Sequence, residues 1–265
     1  MLRYRLLRNG IRLVFLVSCL TLTACATTAQ QDEQSHLLAL ADDVARHGDH
    51  ATAASMYERA LEMSSDTPEI HVRLGDALLA AGDLEGAAQA YRDALALDIT
   101  HPKALLGLGS TQLRLGNVER AVRNLQKAAP ELDTVPAWSR LGVAQALLGH
   151  GQAAQRAFTH AVSLAPKNSL DERTNLALAQ SLAGDDAEAV SQMRQVSASP
   201  LAEDRHFRNL LLVLVLAGQT QQATTVDIPD MPQARRQSLI EQAQRIRDVA
   251  DPAQRARMMG LNLAP

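Results

Sequence analysis

Aromatic residues are scarce in this 265-residue chain, which has three Phe, three Tyr and one Trp. Strand-length runs of β-branched and aromatic residues are scarce with them, and that weighs against a sheet. Cysteine is rarer still. Cys19 and Cys25 are the only two, both in the N-terminal segment, so nothing after position 25 can form a disulfide or a thiolate metal site. A basic surplus is missing as well: the formal charge is −3, and it falls to −7 without Arg3, Arg5, Arg8 and Arg12, the only charged residues among the first 24. An acidic remainder with no basic stripe argues against nucleic acid as a partner. The eight histidines are scattered; His47 and His50 flank a glycine with no carboxylate or cysteine at ligand spacing. There is no nucleophile elbow, no paired general acid and base, and no glycine-rich loop following a strand. The expectation is a protein without catalytic residues, metal or cofactor.

What the chain does have is Ala and Leu in abundance, residues that lose little on entering a helix, and it reads as all-α. Its first twelve residues are basic, and the apolar run Ile11 to Leu22 that overlaps them is too short to span a bilayer. This is the build of a secretory signal. The boundary Leu22-Thr23-Ala24-Cys25 resembles a bacterial lipobox. The resemblance implies cleavage before Cys25 and covalent lipid on its thiol, several acyl chains anchoring where one does not. The alternative is an ordinary secretory signal with an incidental cysteine. Ala26 stands where Asp would mark inner-membrane retention in such lipoproteins, which implies the outer membrane, on its periplasmic face. Residues 1–24 are thus assigned to the signal peptide. Residues 25–35 are polar without an apolar period and are expected to form a flexible tether.

Beyond that point glycine recurs at 48, 82, 116, 149, 184 and 218. Ala53, Ala87, Ala121, Ala154, Ala189 and Ala223 each follow five residues later. Then come Tyr57, Tyr91, Leu125, Phe158 and Met193, and after them Ala60, Ala94, Ala128, Ala161 and Val196. The fourth copy holds Trp138-x2-Leu141-Gly142, Ala154-x3-Phe158, Ala161 and Pro166. This pattern resembles the tetratricopeptide repeat. Small residues at Gly75, Gly109 and Gly142 let two helices approach, and the large residue of the second helix fills the gap. Each turn glycine ends a first helix in the left-handed conformation. Asp49, Asp83, Asn117 and Asp185 follow their glycine and suit the N-cap of the second helix. One hairpin cannot bury its apolar face alone, so hairpins must stack.

The expected fold is an all-α solenoid of tetratricopeptide type, a right-handed superhelix of antiparallel helix pairs. It covers 36–223, with repeats at about 34–67, 68–101, 102–134, 135–168, 170–203 and a partial unit at 204–223. Leu210 to Leu216 is apolar all round and needs cover on every side. After Ala223 the second helix fails at Asp227, Pro229 and Pro232, and 224–250 is expected to supply a capping helix over Leu210–Leu216 through Leu239, Ile240 and Ile246. Residues 251–265 read as a loose tail.

The first helices of such a stack line an inner wall. Counted from the turn glycines, that wall holds Val72, Leu79, Leu106, Leu113, Val143 and Leu178, with Arg114 and Arg140 nearby. The expectation is an apolar peptide-binding groove suited to an amphipathic helix; the alternative is that these residues pack on one another. Relatives that clamp a C-terminal carboxylate use Lys and Asn, where this chain has Val72, Asp76, Gly107, Pro136 and Arg140. Lipobox, repeats and the stretch Asp204-Arg205 through Arg208-Asn209-Leu210 to Leu216-Ala217-Gly218 together resemble the TadD family of tight adherence (Flp pilus) assembly lipoproteins. That resemblance implies a pilotin-like scaffold whose partner is the pilus secretin or another assembly component. A second possibility is a different envelope scaffold of the same build, serving another pilus system or peptidoglycan enzymes.

Overall fold

The computed structural model describes residues 31–63 and 66–261. Cys25, the signal segment and 26–30 lie outside the described residues. The described residues contain helices and no strand, and none of those helices is long and apolar enough to cross a membrane. The chain is an all-α, tetratricopeptide-type solenoid of antiparallel helix pairs. It divides into two compact units, Met1–Gly107 and Leu108–Pro265.

The first unit holds α1 (31–46), α2 (His50–Leu61), α3 (Pro68–Ala81), α4 (Leu84–Leu97) and the start of α5 (Pro102–Arg114). The second holds the rest of α5, α6 (Val118–Leu132), α7 (Val135–Leu147), α8 (Gly151–Leu164), α9 (Leu170–Ala183), α10 (Asp186–Ser197), α11 (Asp204–Leu216), α12 (Thr220–Ala223), α13 (Gln233–Arg247) and α14 (Pro252–Met259).

Each hairpin turns in the same way. All six periodic glycines have φ between +75° and +90°, a conformation that costs glycine nothing and other residues about 1–2 kcal/mol. The amide that follows the turn glycine donates back to a carbonyl five residues earlier: Asp83 N to Leu78 O at 2.9 Å, Asn117 N to Gln112 O at 2.8 Å, Asp185 N to Gln180 O at 2.8 Å. That bond satisfies a carbonyl orphaned by the helix end. Asp49 and Asp83 then cap the following helix, accepting from Thr52 N at 3.1 Å and Gly86 N at 2.9 Å. Asn117 and Asp185 make no such side-chain bond, which corrects the expectation for those two. The Asp185 carboxylate instead accepts from Gln155 Nε2 at 2.8 Å.

Within the hairpins, glycine on the first helix makes room for the large residue on the second. A methyl group placed on Gly75 would come within 2.7 Å of the Tyr91 ring, and one on Gly142 within 2.8 Å of Phe158. Tyr91 and Phe158 have no exposed surface. Gly109 stands in the same relation to Leu125, at 2.7 Å.

Two boundaries differ from the sequence reading. Residues 31–35 belong to α1, not to a tether, because Gln34 is buried and its Nε2 donates to Ala60 O at 2.7 Å. The second helix of the sixth hairpin is the single turn α12, which ends at Ala223, ahead of Pro229 and Pro232. Residues 252–259 form α14 instead of a loose tail: Asp251 accepts from Ala253 N at 3.0 Å, Pro252 occupies the first turn, and Gly260 ends the helix at φ +65°. In the second unit α13 lies along α11, where Ile240, Ala243 and Ile246 join Leu210 to Val215 in one buried cluster, with Leu239 packed against it.

Candidate functional site

The register that would face a ligand is occupied by the second helices' large residues. Tyr57 Oη donates to Asp42 Oδ1 at 2.6 Å, and Tyr91 Oη donates to Asp76 Oδ1 at 2.5 Å. In both cases the acceptor lies fifteen residues before the tyrosine. The same spacing relates Ser110 to Leu125, Val143 to Phe158 and Leu178 to Met193. Where the large residue carries a hydroxyl, an acid accepts from it; Val143 and Leu178, where it does not, are apolar and share its buried cluster.

Burial decides the fate of the expected groove residues. Val72, Leu113, Val143 and Leu178 are buried, the last two at 2% and 1% exposure. They are core, and their assignment to an open groove is corrected. Leu79, Leu106 and Arg140 are half-buried and Arg114 is exposed. Leu79 and Leu106 belong to the first unit and Arg114 and Arg140 to the second.

The first unit carries an open hollow whose exposed lining is mostly apolar. Asp42, Arg46, His50, Tyr57, Arg73 and Asp76, together with Ala45, Ala77 and Ala80, line this hollow of about 360 Å³. Arg73 Nη1 pairs with Asp42 Oδ2 at 3.1 Å. Such half-exposed pairs are worth at most about 1 kcal/mol, so either end can be exchanged onto a ligand at little cost. Burial, and then the hydrogen bond to Asp42, push the Tyr57 hydroxyl well above its ordinary pKa; it remains a donor at neutral pH. A hollow that joins charged groups to a largely apolar exposed lining suits an amphipathic segment. The signal for it lay in the sequence as Asp42 and Asp76, each fifteen residues before a tyrosine.

A polar cluster sits on the surface of the second unit. Trp138 Nε1 donates to Asp133 Oδ1 at 2.9 Å, and His160 Nε2 lies 2.7 Å from the same oxygen. The Trp138 and His160 rings are tilted at 46° with centroids 4.3 Å apart. The Trp138 bond first, and then that of His160, hold the Asp133 carboxyl below its usual range. Among the described residues no group of three or more His, Cys, Asp and Glu is arranged to hold a metal ion.

Comparison with known proteins places this geometry. Two tetratricopeptide repeat models match, over residues 38–102 and 78–148. No curated protein matches the chain. Among solved structures, the chain is similar to a tetratricopeptide repeat protein from Parabacteroides merdae, at 17% identity and TM-score 0.63, over 86% of this chain and 93% of the other. It is similar to Pseudomonas aeruginosa pilF at 16% identity and TM-score 0.60, over 75% and 90%. It is also similar to YrrB, described as a tetratricopeptide protein with an unusual peptide-binding site, at 20% identity and TM-score 0.58, over 77% and 98%. At these identities the likeness is one of fold.

Proposed function

The chain carries tetratricopeptide repeats and is a protein-interaction scaffold; from that premise we propose that it is a lipid-anchored, pilotin-like protein of the bacterial outer membrane. In this reading Cys25 carries the lipid, the repeats hang on the periplasmic face, and the bound partner is a segment of a tight adherence pilus secretin. The protein positions that partner and catalyses nothing.

The observation that carries the reading is the conjunction of Leu22-Thr23-Ala24-Cys25 with hairpins that offer an open hollow at Asp42, Arg73 and Asp76. Repeats this short of aromatics and without a metal-ligating cluster supply surface and little else. The stretch from Asp204 to Gly218, which resembles the tight adherence family, forms α11 and the turn after it, and most of α11 is buried. That stretch therefore supports kinship through packing, and the hollow supplies the contact surface. The pilF likeness supports the fold of such a scaffold.

Fractionation and co-purification test the reading. Cys25→Ala is expected to leave the repeats folded and move the protein from the membrane to the soluble fraction. The intact protein, extracted in mild detergent, is expected to bring down secretin as its main partner. A membrane-bound Cys25→Ala protein refutes the anchor. A peptidoglycan hydrolase or protease as the main partner favours the envelope-adaptor reading.

A further inference from the structure

The same stacking position is covered in five hairpins and open in the first. Leu40, Leu74, Leu108, Leu141, Leu176 and Leu210 each stand eight residues before the turn glycine of their hairpin. The last five are buried, at 6–8% exposure, whereas Leu40 is 48% exposed. Cover comes from the second helix of the preceding hairpin. Leu74 shares a cluster with Ala53, Ala54 and Tyr57 of α2, Leu176 with Ala154 and Phe158 of α8, and Leu210 with Ala189, Val190 and Met193 of α10. Among the described residues no helix precedes α1, so Leu40 lacks that cover. The terminal repeats of a stack need a polar outer face, and this one carries a leucine.

The surroundings of Leu40 identify what covers it. Glu33, Leu37, Leu40, Val44 and His47 follow one another at steps of 4, 3, 4 and 3 along α1 and its end, the spacing of a seam between two packed helices. Glu33 and His47 are exposed, and Leu37 and Val44 are half-buried. The stripe mirrors itself about Leu40, with an apolar residue on each side and beyond them an acid at one end and a base at the other. Turned end for end against a copy of itself, it sets Leu40 near the two-fold axis and each Glu33 beside the other copy's His47. The two helix dipoles then oppose as well. Nothing nearer at hand fits. In the lipid-anchor reading the mature chain begins at Cys25, and Ala26-Thr27-Thr28-Ala29-Gln30 hold no large apolar side chain. A bilayer suits helices with a basic polar face, but α1 has Asp32, Glu33, Asp42 and Asp43 against Arg46 alone. Those five tether residues reach no more than about 18 Å, so anchored copies would hold their first hairpins in one plane, at high effective concentration.

We propose that the edge of the first hairpin centred on Leu40 is a self-association surface, on which a second copy of the chain packs α1 against α1, antiparallel, across a two-fold axis. Each copy then gives the other's Leu40 the cover that a preceding hairpin gives the other leucines. Asp42, two residues on, lies on the opposite side of the helix and lines the hollow, so the dimer leaves both hollows open and presents a symmetric pair of partner sites. The proposal goes beyond the scaffold reading and rests on it only for where the mature chain begins.

Cysteine crosslinking tests it on the full chain, produced in cells as two forms with different affinity tags and oxidised in the intact cells with diamide. Leu40→Cys is expected to give a disulfide-linked dimer that contains both tags. It should be at least tenfold more abundant than the dimer from the parent chain or from Ala39→Cys, whose exposed side chain stands on another side of α1. No dimer at Leu40, an equal amount at Ala39, or capture of a different protein at Leu40 overturns the proposal. Leu40→Glu, which sets two carboxylates face to face at the axis, is expected to halve the molar mass of the detergent-extracted protein by light scattering, with its circular dichroism unchanged; an unchanged mass overturns the proposal. Should that variant lose its helical signal, the crosslink decides alone. Neither readout involves the secretin or the lipid: a Cys25→Ala chain that stays in the membrane refutes the anchor, while the Leu40 crosslink is still expected.

Discussion

Replacing Gly75 with alanine tests the packing rule on which the hairpins depend. On its own the change favours the helix, since alanine is better than glycine in a helix interior by about 1 kcal/mol. The structure says that the sign reverses here. The new methyl group would lie 2.7–2.9 Å from three atoms of the Tyr91 ring, at least half an ångström inside ordinary carbon contact. The ring has little room to retreat: it is fully buried, its hydroxyl is tied to Asp76, and its same edge packs against Gly107. Overpacking of this kind costs about 1–3 kcal/mol. Taking the upper half of that range for a ring held at several points, and subtracting the helix gain, leaves a net loss of about 1–2 kcal/mol. Urea unfolding followed by circular dichroism at 222 nm measures it. In a Tyr91→Ala background the ring is gone, and Gly75→Ala is expected to stabilise by about 1 kcal/mol. The two substitutions should therefore couple by about 2–3 kcal/mol. A Gly75→Ala protein as stable as the parent, or additive behaviour in the double mutant, refutes the argument.

Val143→Glu places a carboxylate against Phe158 and Ala256 with no partner. It is expected to cost about 3–5 kcal/mol, as for a charge left unpaired in a core; a melting temperature within a few degrees of the parent would return Val143 to an open groove. Tyr57 supplies a pH signature. Its folded pKa is raised, so its contribution is complete below the ordinary tyrosine pKa of about 10 and is lost as pH rises beyond it. Absorbance at 295 nm should show Tyr57 ionising only when the helical signal collapses, and Tyr57→Phe should reduce the amplitude of that step; a Tyr57-dependent step that occurs before unfolding contradicts the assigned burial.

The repeat itself was legible because each periodic residue answers a local demand. Glycine at 82 or 184 is required by a positive φ, and Ala or Gly opposite Tyr91 and Phe158 by volume, and both demands survive without knowledge of the tertiary structure. The groove was not legible in the same way. Counting from the turns identifies which residues face the wall, but not which of them lie under a side chain from the second helix. Val143 and Asp76 hold the same register, and the hydroxyl of Tyr91, absent from Phe158, decides that one is polar and the other core. The start of α1 was missed because residues 31–35 are polar throughout, while only tertiary context places Gln34 against Ala60. The miss at α14 was avoidable: Asp251-Pro252 and Gly260 are start and stop signals, but an eight-residue helix with two apolar anchors leaves almost no periodicity to read.

Site-specific photocrosslinking in cells tests the central proposal, that this chain holds a protein partner in the hollow of its first unit. A photoreactive residue at Ala80, exposed and lining that hollow, is expected to yield one dominant protein adduct, while the same residue at Ala234, exposed on α13, yields none. Adducts of equal strength at both positions, or none at Ala80, would contradict the account.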